Sequence, residues 1–246
     1  MTGGGVHYLD AAGPGGMRLY AIGDVHGCLG LLARMHAAIR AELERDRPQD
    51  WRIIHIGDYV DRGPDSKGVL DFLVQACRDR RILALAGNHD LGFLKFLEAP
   101  SSDGLFAHNG GRETALSYGV DLDTGSRSAL LASHAALVQA IPPEHIAFLL
   151  GLPRSASFGD FFFCHAGIRP GVPLDRQDAE DLVWIREAFL NFPGLHPKVI
   201  VHGHTPADQP EVMGNRVNID TRAFASGRLT ALVVEGRTKR LFEVAG

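Results

Sequence analysis

A chain of 246 residues with 45% hydrophobic and 22% charged side chains has the balance of an ordinary globular protein and enough apolar surface for one large core. Its 25 basic and 29 acidic residues leave a formal charge of -4, so neither nucleic acid nor an anionic membrane surface is an expected partner. Cys28, Cys77 and Cys164 are far apart and form no CxxC pair, which argues against a disulfide framework or thiolate zinc cluster and for a reducing, cytoplasmic setting.

Residues 1–16 are rich in glycine and lack a basic-then-apolar order, so they read as a flexible N-terminal arm ahead of one domain spanning 17–246. From Met17 an apolar strand (Arg18 to Ile22) leads through a glycine-rich turn into a helix from Leu29 to about Glu44. The cycle repeats with a strand at Trp51 to Ile56, a helix at Ser66 to Arg80 and a strand at Arg81 to Ala86 that ends in the turn Gly87 to Asp90. Strand, helix, strand, helix, strand is the order of a parallel α/β sheet.

From about 99 to 152 the β-branched residues thin out and helix formers take over, with helices expected at Ser128 to Gln139 and Glu144 to Leu150. This stretch reads as a helical cap insertion. Strand character returns at Phe158 to Cys164, Lys198 to Val201, Val217 to Ile219, Leu229 to Val234 and Leu241 to Val244, which together suggest a second sheet.

The polar residues that could do chemistry sit where these strands end. They are Gly23-Asp24-Val25-His26-Gly27, Gly57-Asp58-Tyr59-Val60-Asp61-Arg62-Gly63, Gly87-Asn88-His89-Asp90, Cys164-His165-Ala166-Gly167 and His202-Gly203-His204-Thr205-Pro206. In an open α/β sheet the carboxyl ends of the strands share one edge, so such turns converge on a crevice. Oxygen and imidazole donors in that number suit manganese, iron or zinc. Any one motif could be a helix cap or a structural turn, but five in succession at strand ends point to a site. Of the other histidines, His108 and His202 are the candidates for a supporting role there.

These five motifs, in this order, resemble the calcineurin-like metallophosphoesterases, and GDYVDRG is similar to the phosphoprotein phosphatase branch with its bacterial serine/threonine phosphatases. Asn109-Gly110-Gly111, Trp184-Ile185-Arg186 and Asn218-Ile219-Asp220-Thr221 look like secondary motifs of the same group. The resemblance implies a two-sheet α/β/β/α sandwich with a helical insertion and a pair of divalent metal ions, manganese by preference with iron or zinc as alternatives. It implies that Asp24, His26 and Asp58 bind the first ion and that Asp58, Asn88, His165 and His204 bind the second. Pro206 stands where many wider relatives have a further His, which agrees with the phosphatase branch.

The mechanism expected on this basis is direct attack on phosphorus by a hydroxide bridging the metals, without a phosphoenzyme. His89 is the candidate general acid with Asp61 orienting it, and Arg62 and Arg186 are candidates to grip the phosphate. The implied substrate is a phosphorylated protein or another small phosphate ester. Two features pull elsewhere: Asp90 stands where phosphatases usually have Glu, and Ala86 where an Arg is common, leaving Arg222 as a substitute positive charge. Gly-Asn-His-Asp is found in symmetrical dinucleoside polyphosphate hydrolases, but these typically lack the equivalent of Asp61. A non-catalytic scaffold is the remaining alternative, and the full set of ligands argues against it.

Overall fold

The computed structural model describes residues 4–246. The first half runs β1 (Met17–Ile22), α1 (Leu29–Asp46), β2 (Asp50–His55), α2 (Ser66–Ala76) and β3 (Ile82–Ala84). Five helices follow: α3 (Asn88–Glu98), α4 (Leu105–His108), α5 (Gly111–Ser117), α6 (Arg127–Ala140) and α7 (Pro143–Leu150). The second half has β4 (Ser155–Phe158), β5 (Phe161–Cys164), α8 (Asp181–Trp184), α9 (Glu187–Leu190), β6 (Val199–His202), β7 (Glu211–Val212) and β8 (Arg216–Asn218). It closes with α10 (Ala223–Ser226), β9 (Arg228–Glu235) and β10 (Thr238–Ala245).

Two five-stranded sheets result, ordered β10-β9-β1-β2-β3 and β4-β5-β6-β8-β7. Alternation along the strands explains why they stack. Leu19 and Ala21 of β1 join Phe161, Phe163, Val199 and Val201 in the core between the sheets. Tyr20 and Ile22, one residue out of step, face the helices with Leu32, Met35 and Leu70. Phe162, Cys164 and Ile200 turn to the other outer face. A period of two thus serves a layer on each side, and each large apolar side chain so buried contributes about 1.5–3 kcal/mol.

β1, β2 and β3 are parallel, as the alternating strands and helices predict. Three expectations are corrected. β9 and β10 do not extend the second sheet; β9 pairs antiparallel with β1, so the chain ends where it began and covers the outer edge of β1. The expected strand from Phe158 to Cys164 is a hairpin broken at Gly159, whose φ of 55° turns the chain back on itself. The turn at Gly87 to Asp90 is the first turn of α3, because Gly87 acts as its N-cap.

The described part of the N-terminal arm is not loose. Val6 N–H donates to His196 O and Tyr8 N–H to Gly214 O, the Lys239 ammonium collects the carbonyls of Tyr8, Leu9 and Ala11, and Ala11 is fully buried. Backbone hydrogen bonds substitute for the side chains that glycine lacks. Residues 1–3 lie outside the described range. No helix among the described residues is long and apolar enough to cross a membrane.

Candidate metal centre and active site

Every motif named above lands on one edge of the sandwich. Asp24 and His26 follow β1, Asp58, Asp61 and Arg62 follow β2, Asn88 and His89 open α3, His165 follows β5 and His204 follows β6. Asp24, His26, Asp58, Asn88, His165 and His204 are all buried. The backbone there is strained: apart from Arg47 at the end of α1, the non-glycine residues with positive φ among the described residues are His26, Asp58, Asp61, Arg62, His204 and Arg222, at 42° to 72°. Left-handed conformations cost energy for such side chains and cluster where the fold over-determines them. Glycine supplies the room. A Cβ on Gly87 would stand 2.1 Å from Asp58 Oδ1, and one on Gly203 would stand 2.0 Å from Asp24 Oδ1.

Asp58 is the hub. Its Oδ2 lies 3.4 Å from His26 Nε2 and its Oδ1 lies 3.3 Å from His165 Nε2. Asn88 Oδ1 is 2.8 Å from both His165 Nε2 and His204 Nδ1. Donors spaced so closely match a cation, since bonds of about 2.1 Å put neighbouring ligand atoms roughly 3 Å apart. The outward nitrogens are already occupied: His26 Nδ1 is 2.8 Å from Val60 O and His165 Nδ1 is 3.0 Å from Ile56 O. Each Nδ1–H donates to a carbonyl, which fixes the ring orientation and turns Nε2 toward the cluster.

The charges call for a cation as strongly as the spacing does. Asp24, Asp58, Asp90 and Asp220 are buried together. Burial and the neighbouring Asp220 charge raise Asp24 well above the usual carboxylate range. Asp58 is held well below it because the imidazolium charges of His165 and His89 outweigh its burial. His165, opposed by burial but pulled by Asp58, Asp24 and Asp90, is raised to about 9. Burial lowers His26 to about 3 and His204 to about 2, keeping them in the neutral form that binds metal. Asp24 Oδ1 is buried with no hydrogen-bond partner in the protein. A carboxylate oxygen without a donor is costly unless a cation meets it, so the donor set fits divalent metal.

Beside this cluster, His89 Nδ1 lies 2.7 Å from Asp61 Oδ2, and Arg62 Nη2 lies 3.1 Å from His89 Nε2. Burial disfavours the charged form of His89, but Asp58 and the Asp61 hydrogen bond prevail and raise its pKa. Burial raises Asp61 to about 6, against the hydrogen bond from His89. Arg186 reaches the site from the far side, donating from Nε to His204 Nε2 at 3.0 Å.

Three expectations about supporting residues come out differently. Arg222 is engaged with Asp208, so its charge is already paired rather than aimed at the cluster. His202 is buried against Phe189, with its ring centroid 5.0 Å away, and burial lowers it to about 3. His108 is exposed and lines an open cavity with Arg62 and Phe224.

Asp90 is more than a shortened Glu: its carboxylate accepts from the backbone N–H groups of Asp58, Tyr59 and Gly87, each at 2.9 Å. It fastens the β2 loop to α3. The signal available in the sequence was its place three residues past an N-cap glycine. Phe224, with its ring 5.5 Å from His26 and under the Arg62 guanidinium, was also missed, because a lone exposed aromatic carries no pattern.

A sandwich of two sheets with buried carboxylates, imidazoles and an amide at one edge defines a metallophosphoesterase, and such proteins are phosphoric ester hydrolases. Residues 17–233 match the family described as calcineurin-like phosphoesterase, and the chain belongs to it. The family is dinuclear and metal-dependent. The chain is 30% identical over 219 residues to serine/threonine-protein phosphatase 1 of Salmonella typhimurium, covering 86% of this chain and 89% of that one. It is 25% identical over 230 residues to the asymmetrical bis(5'-nucleosyl)-tetraphosphatase PrpE of Anoxybacillus flavithermus, covering 86% and 88%. A solved metallophosphoesterase from Sphaerobacter thermophilus shares the fold at a TM-score of 0.52 and 20% identity, over 93% of this chain and 88% of that one.

Proposed function

We propose that this chain is a phosphomonoesterase dependent on two divalent metal ions, acting on phosphoserine or phosphothreonine in proteins. The observation that carries this reading is the buried His89–Asp61 pair set beside the donor cluster. Breaking an alkyl phosphate ester releases a poor leaving group, and an oriented imidazole is the group that would protonate it.

Asp24, His26 and Asp58 would hold one ion and Asp58, Asn88, His165 and His204 the other, with manganese the first choice and iron or zinc the alternatives. When bound, such a pair generates a nucleophile from water at neutral pH and offsets charge on the phosphoryl oxygens. His89 delivers its Nε2 proton to the leaving oxygen. Asp61 fixes the ring through Nδ1 and stabilises the charged imidazolium. Arg62, beside His89 Nε2, and Arg186, beside His204, present planar forks to the phosphate. Water attacks phosphorus directly, so a single turnover in oxygen-18 water puts the label into the released phosphate; unlabelled phosphate would sink direct attack. A cytoplasmic setting is supported by the three free thiols Cys28, Cys77 and Cys164.

A second reading, hydrolysis of a dinucleoside polyphosphate, is favoured by the likeness to PrpE, named for asymmetrical cleavage where the sequence suggested a symmetrical enzyme. Two exposed aromatic side chains support it: Phe224 against His26, and Trp184 against His204 at 6.2 Å. Either could stack on a base. The test is phosphate release by manganese-loaded protein from a phosphoserine peptide and a phosphotyrosine peptide, beside mononucleotide formation from diadenosine tetraphosphate, which gives ATP and AMP if cut asymmetrically and two ADP if cut symmetrically, with an Asp58→Asn control. Turnover of the phosphoserine peptide that the control lacks supports the first reading, and turnover of the dinucleotide alone replaces it with the second.

A further inference from the structure

The helical insertion meets the active edge at the turn that carries Asp61 and Arg62. Thr114, in the middle of α5, is fully buried. Its hydroxyl donates to Asp61 Oδ1 at 2.9 Å and accepts from Asp61 N–H at 2.8 Å. Ser66, also fully buried at the start of α2, lies 3.0 Å from the same hydroxyl and 3.1 Å from Asp61 N. A hydroxyl has one proton to give. Thr114 gives it to Asp61, so Ser66 must donate to Thr114. The resulting relay runs from Ser66 to Thr114 to Asp61 Oδ1, while Asp61 Oδ2 is left to His89 Nδ1.

The neighbouring contacts hold this relay in register. Gly110 O accepts from Arg62 N–H at 3.3 Å, and Ser117 Oγ accepts from Lys67 N–H at 3.0 Å. A Cβ on Gly110 would lie 2.1 Å from Arg62 N, so the approach is as close as a backbone without a side chain permits. Asp61 and Arg62 have φ of 72° and 67°. On this strained turn the Thr114 hydroxyl bonds Asp61 at both backbone and side chain.

We propose that Thr114 is a positioning residue for acid catalysis: through Asp61 it sets the direction of the His89 imidazole, so that the helical insertion completes the proton-delivery apparatus. This rests on the reading of His89 as the general acid. Among the described residues, the Thr114 hydroxyl bonds Asp61 and Ser66 and none of Asp24, His26, Asp58, Asn88, His165 and His204. Its loss should therefore leave substrate binding alone and slow only those reactions in which the leaving oxygen needs a proton.

The experiment compares Thr114→Val, which keeps the shape and removes the hydroxyl, with Thr114→Ser, which keeps the hydroxyl. Both are assayed as metal-loaded full-length protein on a phosphoserine peptide, whose leaving group is a strong base, and on nitrophenyl phosphate, whose leaving group is a weak one. Thr114→Val should lower kcat on the peptide about tenfold, a part of the 10²–10⁴-fold that a general acid supplies. Its KM should be unchanged, and its rate on nitrophenyl phosphate should stay within about twofold of the parent. Thr114→Ser should restore the peptide rate. Ser66→Ala should show the same selectivity to a smaller degree, and it carries the test if Thr114→Val does not fold.

His89→Asn is run beside them. If it shows the leaving-group selectivity and the Thr114 and Ser66 variants do not, Thr114 has no positioning role while His89 remains the acid. If His89→Asn slows both substrates alike, the acid reading itself fails, and the Thr114 proposal with it.

Discussion

The two sheets bring different chemistry to the same edge. The loops after β1, β2 and β3 supply both carboxylates of the donor cluster, the Asn88 amide, the His89–Asp61 pair and the left-handed residues His26, Asp58, Asp61 and Arg62. The loops after β5 and β6 supply two imidazoles, and these are aimed by the first sheet: His165 Nδ1 is bonded to Ile56 O, and His204 N–H donates to Asp24 Oδ2 at 3.1 Å. The first sheet therefore carries both carboxylates, most of the strain and the aiming, and the second completes a donor cluster it does not organise. Damage to the first sheet's groups should cost more than damage to the second's.

The largest effect is expected at Asp58, which faces both His26 and His165. Asp58→Asn should lower phosphate release roughly a thousandfold and reduce bound metal, because one change weakens both halves of the cluster. His204→Ala removes a second-sheet donor and should cost roughly a hundredfold, with the metal at the Asp24 side retained. Metal content and kcat measured on both variants rank the two sheets, and a larger loss at His204 than at Asp58 would reverse the comparison. Asp90→Asn should matter more to stability than to chemistry. An amide offers one acceptor oxygen where three N–H groups now point, and a buried donor left unpaired costs about 1–3 kcal/mol, read from urea unfolding.

The smallest effect lies on the helix side of the first sheet, away from the cluster. His36 Nε2 is 3.0 Å from His55 Nε2, both rings are buried, and burial lowers His36 to about 4 and His55 well below its ordinary value. In the unfolded chain these imidazoles take up protons near pH 6.5, whereas the folded pair stays neutral. Stability is thus fully present above that pH and declines as pH falls toward about 4. Each such group contributes a slope of about 1 kcal/mol per pH unit across that window. His36→Phe should flatten it in unfolding curves taken between pH 7 and 5, and an unchanged slope would show that the pair does not titrate this way.

Much of this was legible in the sequence because the chemistry is local to strand ends. Apolar runs between turns located β1, β2 and β6, and glycine beside Asp24, Asp58, Asn88 and His204 marked the turns that carry the polar residues. What was not legible depends on partners remote in sequence. Nothing in Leu229 to Val234 announces that it pairs with β1 rather than with β8, since an apolar strand fits a core on either sheet. Glu211–Val212 is too short and too exposed to show a period. Asp90 and Thr114 are single polar residues inside helices, and their importance comes from the loop after β2 that folds against them.

The most direct test of the account is metal titration with activity followed on the same sample. Protein stripped by a chelator is titrated with manganese while phosphate release from a phosphoserine peptide is recorded. Turnover that is absent from the stripped protein and rises to a plateau at two equivalents per chain is the predicted result. Full turnover by the stripped protein would contradict it, because the buried cluster around Asp58 would then have no catalytic cation to hold.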